Sequence, residues 1–216
     1  MKRILALPLI ILMVLAVVLS GCAKSSSSSE PTSDLPVEAV HLGDNLFVIT
    51  KANEQEKENI NTPFVALFEN PEEPGEIEVG EVLALKYEVF YESLPPQAPI
   101  LEWEKISGER ETYLAGFNLA NILLEHRPGK TYLIDVRSVG EFESGHVPNS
   151  INIPVEKIGD ITEVIPDKDA TILLYCRSGN RSATAANTIQ GFGYKVIFDI
   201  GGISGYDGEL EYGSGK

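Results

Sequence analysis

The stretch Thr171-Ile172-Leu173-Leu174-Tyr175-Cys176-Arg177-Ser178-Gly179-Asn180-Arg181-Ser182 decides how this chain is read. Its first five residues form a continuous apolar run, as expected of a strand covered on both faces. Cys176 follows directly, between the strand and an alanine-rich helix predicted over 182–190. A helix N-terminus at this place offers unpaired amides and a favourable dipole to an anion. Arg177 and Arg181 add positive charge, and Ser178 and Gly179 let the loop curl so that several amides point inward. The thiolate is the reactive form of cysteine, and all three features favour it. The pattern is that of a nucleophile for anionic substrates.

Working outward, strand-like and helix-like pieces alternate. Residues 131–136, 150–153 and 195–199 read as strands with the same apolar character. Residues 112–125 place Leu114, Phe117, Asn121 and Leu124 at helical spacing, and His126-Arg127-Pro128-Gly129 ends that helix. Ser138-Val139-Gly140-Glu141 offers a capping box to a further short helix. The alternation predicts an α/β domain, a parallel sheet with helices on both faces. Ligands in such sheets bind beyond the carboxyl ends of the strands, which is where Cys176 lies.

The preceding region reads differently. Residues 37–42, 46–50, 63–68, 82–90 and 100–106 are rich in β-branched and aromatic residues. Turn-rich pieces such as Asn70-Pro71-Glu72-Glu73-Pro74-Gly75 separate them, giving a small mainly-β domain. The run from Val82 to Phe90 is too continuous for a one-sided strand and implies a barrel or sandwich. Glu92-Ser93-Leu94-Pro95-Pro96-Gln97-Ala98 resembles the closing segment of a small OB-like domain found in bacterial lipoproteins. Trp103 is expected in its core or at a domain interface. His41 and His126 lie apart and suggest no metal site. The region reads as a spacer or docking module.

The chain begins with Lys2 and Arg3, then an apolar run from Ile4 to Leu19 broken by Pro8. Leu19-Ser20-Gly21-Cys22 closes it, in the layout of a secretory signal, and resembles the bacterial lipobox. That resemblance implies cleavage before Cys22 and lipidation of its thiol, so that the chain is held at the outer face of a bacterial membrane by its acyl chains. A plain transmembrane anchor is the competing reading. The tract Ser25 to Ser29, followed by Glu30-Pro31-Thr32-Ser33, is a flexible polar tether. Removing residues 1–21 takes away Lys2 and Arg3 and no acid, which moves the net charge from −15 to −17. Such a surface argues against nucleic acid or anionic lipid as partners. With Cys22 lipidated, Cys176 has no intramolecular disulfide partner. A free thiol kept in an exported domain points to chemical use, the alternative being a buried structural cysteine.

Cys-Arg-Ser-Gly-Asn-Arg-Ser at 176–182 resembles the active-site loop of the single-domain rhodaneses, a sulfurtransferase family. Leu133-Ile134-Asp135-Val136-Arg137 and the run Glu141-Phe142-Glu143-Ser144-Gly145-His146-Val147-Pro148 through Ile153-Pro154 fall in the matching order. Gly191-Phe192-Gly193-Tyr194 and Gly201-Gly202-Ile203 complete the set, over about residues 113–212. The organisation expected is a signal and lipobox at 1–22, a tether at 23–34, a β-rich OB-like domain at 35–110 and a rhodanese-like domain at 111–216.

The resemblance implies a two-step transfer needing no metal or organic cofactor. The Cys176 thiolate takes the outer sulfur of thiosulfate or a similar small sulfur-containing anion, and a thiol, cyanide or a partner protein removes it. Arg177, Ser178, Gly179, Asn180 and Arg181 are then the substrate-binding loop, and an arginine holds the donor's sulfonate. Both arginines are expected to form a local positive funnel in the acidic surface. Phosphatases of related architecture place five residues between cysteine and arginine, whereas four stand between Cys176 and Arg181, a ring suited to sulfur. Asp135 and Arg137 are expected to pair and brace the loop, Glu141 to cap a helix, and His146 to pack in a turn. Tyr206 stands where rhodaneses often carry tryptophan. Two other functions remain open at this level: a non-enzymatic binding module on the same scaffold, and a redox or persulfide sensor built on Cys176.

Overall fold

The computed structural model describes residues 33–68, 74–106 and 111–214. The signal segment, Cys22, nearly all of the serine-rich tether and Asn70-Pro71-Glu72-Glu73 lie outside the described residues.

Five strands close into a barrel: β1 (Val37–Gly43), β2 (Leu46–Ala52), β3 (Pro63–Phe68), β4 (Val82–Tyr87) and β5 (Gln97–Ile106). Their order is β1-β2-β3-β5-β4, and β4 pairs back onto β1. All pairings are antiparallel except β3 with β5. Closure leaves no free sheet edge. The period of two along a strand sorts the residues of β1 and β2 between two cores. Val37, Ala39, Phe47 and Ile49 point into the barrel, where they meet Phe64, Leu83 and Leu85. Val40, Leu42, Leu46 and Val48 face the other way and join the core of the α/β unit. This double burial explains why neighbouring residues such as Ala39-Val40 and Leu46-Phe47-Val48-Ile49 are all apolar. Strand β4 stops at Tyr87, short of the expected Phe90, whose ring packs on Phe64 and Tyr87. Trp103 is partly buried against the barrel core.

The second sheet contains β6 (Thr112–Leu114), β7 (Thr131–Asp135), β8 (Ser150–Asn152), β9 (Thr171–Cys176) and β10 (Val196–Gly202). Its order is β6-β10-β9-β7-β8 with every pairing parallel, as the alternation predicted. Central β9 is buried at all six positions. One face carries α1 (Phe117–His126) together with the outer side of β1 and β2. The other carries α4 (Asn180–Gln190) and the turns from Val155 to Val164, which end in the one-turn helix α3 (Ile161–Val164). The helix expected over 112–125 begins only at Phe117. Residues 112–114 form the edge strand β6 on β10 instead, because β-branched Thr112 and aromatic Tyr113 suit a sheet and Gly116 marks the turn into α1.

Polar contacts tie the barrel to the α/β unit. The guanidinium of buried Arg127, just past α1, donates to the Leu42 carbonyl of β1 and to Thr171 Oγ1 of β9. Lys130 pairs with Asp44 at 2.8 Å, and Lys51 bridges buried Glu38 and Glu111 at 3.2 and 3.1 Å. Among the described residues, no helix is long and apolar enough to cross a membrane.

Candidate active site

Strand β9 delivers Cys176 to the carboxyl edge of the sheet, and the chain turns at once into α4. The turn depends on Gly179, which holds φ +97 immediately before the helix, a conformation that costs other residues energy. Cys176 is 1% exposed and its thiol is free. The Gly179 amide donates to Cys176 Sγ at 3.1 Å, and Ser182 Oγ lies 3.8 Å from the sulfur. The same hydroxyl oxygen lies 2.8 Å from the Gly179 carbonyl, so its one proton can serve either that oxygen or the sulfur. Burial pushes the Cys176 thiol up, but the amides of Ser178 and Ser182, the Ser182 hydroxyl and the Gly179 amide outweigh it. The thiol therefore sits below its ordinary value, held there mainly by hydrogen bonds to the charged form.

Beneath the loop lies the end of β10. A Cβ on Gly202 would stand 2.7 Å from the Arg177 carbonyl oxygen and 3.0 Å from Ser178 Cα. Only glycine lets the loop settle on the sheet here.

The two arginines have different situations. Arg177 is exposed and, among the described residues, makes no ion pair. Arg181 is engaged by Glu141 of the short helix α2 (Val139–Glu143), with Nη1 to Oε2 at 2.7 Å and Nη2 to Oε1 at 2.8 Å. Beside that guanidinium, the Glu141 carboxyl is held at about 2. Arg181 also interacts with the Cys176 sulfur, and its own pKa is raised, first by Glu141. The positive funnel expected from two arginines is thus corrected: among the described residues Arg177 alone of the two is left without an ion pair, because Glu141 neutralises Arg181. Glu141 completes the capping box with Ser138 as expected, and its ion pair with Arg181 gives it a second role. Asn180 opens α4 in an exposed position.

The supporting residues lie one strand away. Arg137 Nε donates to both Asp135 oxygens at 3.0 and 2.9 Å, and Nη2 donates to Asp135 and to the Gly145 carbonyl. Both residues are buried, and the guanidinium stands 5.8 Å from the Tyr175 ring centre. The Tyr175 hydroxyl in turn accepts from the Val147 amide at 3.1 Å. This network fixes the end of β9 just before Cys176. His146 stacks on Phe142 at 3.7 Å with Nδ1 on the Phe142 carbonyl, and so packs a turn. Tyr206 packs on Phe117, an aromatic contact on the α1 face of the sheet. Among the described residues, no cluster of potential metal ligands is present.

The structure brings Cys176, Ser178, Gly179 and Arg181 together, leaves Arg177 and Asn180 at the rim, and adds Ser182, Glu141 and Gly202. The loop motif carried the signal for Ser182 and the glycine pair carried that for Gly202. Nothing local signalled a contact between Glu141 and Arg181.

Comparison with known proteins agrees with this geometry. Residues 119–209 match the rhodanese-like domain family. The chain is 34% identical over 71 residues to the thiosulfate sulfurtransferase PspE of Escherichia coli, spanning 32% of this chain and 68% of that protein. It is 36% identical over 82 residues to the putative sulfurtransferase YtwF of Bacillus subtilis, spanning 37% of this chain and 77% of that protein. Its match to the adenylyltransferase and sulfurtransferase uba4 of Ogataea parapolymorpha is 33% identical over 81 residues, 37% of this chain and only 21% of that longer protein. With its thiol at the carboxyl end of β9, its curled loop and these relatives, the chain belongs to the rhodanese-like family.

Proposed function

We propose that the chain is a sulfurtransferase that carries sulfane sulfur on Cys176. The observation that supports this most is the buried Cys176 Sγ, ringed by the Ser178, Gly179 and Ser182 donors. In the first step the Cys176 thiolate attacks the outer sulfur of thiosulfate or a similar donor. A bond forms between the two sulfurs, the bond from the outer sulfur to the sulfonate sulfur breaks, and its electron pair leaves with sulfite. In the second step an acceptor thiolate or cyanide attacks the outer sulfur of the Cys176 persulfide, and the electron pair returns to Cys176. The two steps balance without an external oxidant or reductant. The ring of amides serves both the thiolate and the terminal sulfur of the persulfide, since each is a compact anion. Arg177 meets the donor's sulfonate at the rim beside Asn180, Arg181 stands with the loop around the sulfur, and Asp135 with Arg137 brace the loop.

The chain's first residues support an exported lipoprotein anchored through Cys22, with the domain held at the outer face of a bacterial membrane by the serine tether. In this reading the barrel, OB-like in its order and in its parallel β3–β5 pairing, is a spacer or docking module. Thiocyanate formation from thiosulfate and cyanide, compared with Cys176→Ser, tests the chemistry. Labelled palmitate incorporation, compared with Cys22→Ser, tests the anchor. Absence of either signal in the unaltered chain sinks the corresponding half.

A further inference from the structure

Glu141 occupies the terminal edge of Arg181, the one formed by its two Nη atoms, and cancels its charge. A guanidinium grips an oxyanion through two parallel N–H bonds from one edge. In this site both terminal nitrogens, Nη1 and Nη2, already donate to the two oxygens of Glu141. The carboxylate is not loose. Its Oε2 also accepts from the Ser138 amide at 3.1 Å and the Ser138 hydroxyl at 2.9 Å. Swinging it aside for a substrate would break the capping box of α2 as well as the ion pair.

The charges around the sulfur follow from this. Arg177 and Arg181 contribute two positive charges, and Glu141 with the Cys176 thiolate contribute two negative ones. A doubly charged donor approaching from a strongly acidic surface meets no net attraction at the mouth. A donor with one negative charge or none escapes most of that penalty, and the loop amides that receive the transferred sulfur serve it equally well.

From this geometry we propose that Glu141, acting through Arg181, sets the donor preference of the site against dianions such as thiosulfate and toward organic hydropersulfides of low charge. The proposal rests on the sulfurtransferase reading above and makes Glu141 a positioning residue that determines specificity.

The test compares the full chain with Glu141→Gln, using cyanide as acceptor and two donors, thiosulfate and the hydropersulfide of 2-mercaptoethanol. Glutamine at this third helical position keeps the capping box, so the variant folds, as circular dichroism will verify. Relieved of one negative charge at the mouth, the variant gains on the order of tenfold in kcat/KM for thiosulfate, carried by KM. Its kcat/KM for the hydropersulfide changes by less than about threefold. Equal changes for both donors, in either direction, overturn the proposal and leave Glu141 as a structural brace for Arg181. Failure of both donors to load Cys176 in the unaltered chain is a different result: it sinks the sulfurtransferase reading, and the role of Glu141 with it.

Discussion

Gly202→Ala isolates the contact between sheet and loop that shapes the surroundings of Cys176. Gly202 has φ −104, which alanine adopts freely, so the substitution costs contact and not backbone strain. The new methyl would lie 2.7 Å from the Arg177 carbonyl oxygen, 3.0 Å from Ser178 Cα and 3.2 Å from the Arg177 carbonyl carbon. All three atoms belong to the backbone of the loop, so no side chain can rotate away. Ordinary contact begins near 3.4 Å, and the loop must ride outward by the difference from 2.7 Å, about 0.7 Å. The Ser178 and Gly179 amides move with it, away from Cys176 Sγ. Overpacking of this kind costs about 1–3 kcal/mol. A misplacement near 1 Å at a reacting centre slows chemistry by about 10²-fold, so sulfur loading should fall by about 10- to 100-fold. Single-turnover loading with thiosulfate, read by intact mass, gives the rate. Alkylation by iodoacetamide as a function of pH reports the thiol, whose titration should move toward that of an ordinary cysteine. A variant with wild-type loading and an unchanged alkylation profile would refute the reasoning.

Two further outcomes follow from other parts of the structure. Ser182→Ala removes a hydroxyl donor from the sulfur; because donors to the thiolate hold the thiol down, their loss raises it. The alkylation profile therefore moves to higher pH while the fold is kept, and a shift to lower pH contradicts the role given to this hydroxyl. Arg127→Met strips the Leu42 carbonyl and the Thr171 hydroxyl of a buried partner between barrel and sheet, at a cost of about 1–3 kcal/mol. Urea unfolding should show a lower midpoint, and an unchanged midpoint would mean that Arg127 does not help to hold the two units together.

Much of this architecture could be read from the residues, and the failures have physical causes. The parallel sheet was legible because β9 and its neighbours carry the apolar runs that burial on both faces demands. The loop was legible because its chemistry is local: Cys176, Gly179 and the start of α4 lie within a few residues. The Ser138–Glu141 capping box was local too. The pairing of Glu141 with Arg181 was not, since 40 residues separate them and either could as well have faced solvent. The β character of 37–106 was visible, but the sharing of β1 and β2 between two cores was not, because sequence gives burial without saying against what. Residues 112–114 read as helix in the sequence since Leu114 and Phe117 lie at a helical spacing that an edge strand followed by a helix also produces. The turns from Val155 to Val164 leave no clear periodicity although Ile158, Ile161 and Ile165 are all buried, because Gly159 and Asp160 interrupt the pattern.

In the proposed chemistry, Cys176 holds transferred sulfur in a ring of backbone donors. Intact mass of the full chain before and after thiosulfate, and again after cyanide, tests it most directly, with Cys176→Ser alongside. The account predicts a gain of one sulfur atom in the unaltered chain, its loss on adding cyanide, and no gain in the serine variant. A pre-reduced chain that gains no sulfur from thiosulfate or from a hydropersulfide, or a serine variant that gains it equally, would contradict the account.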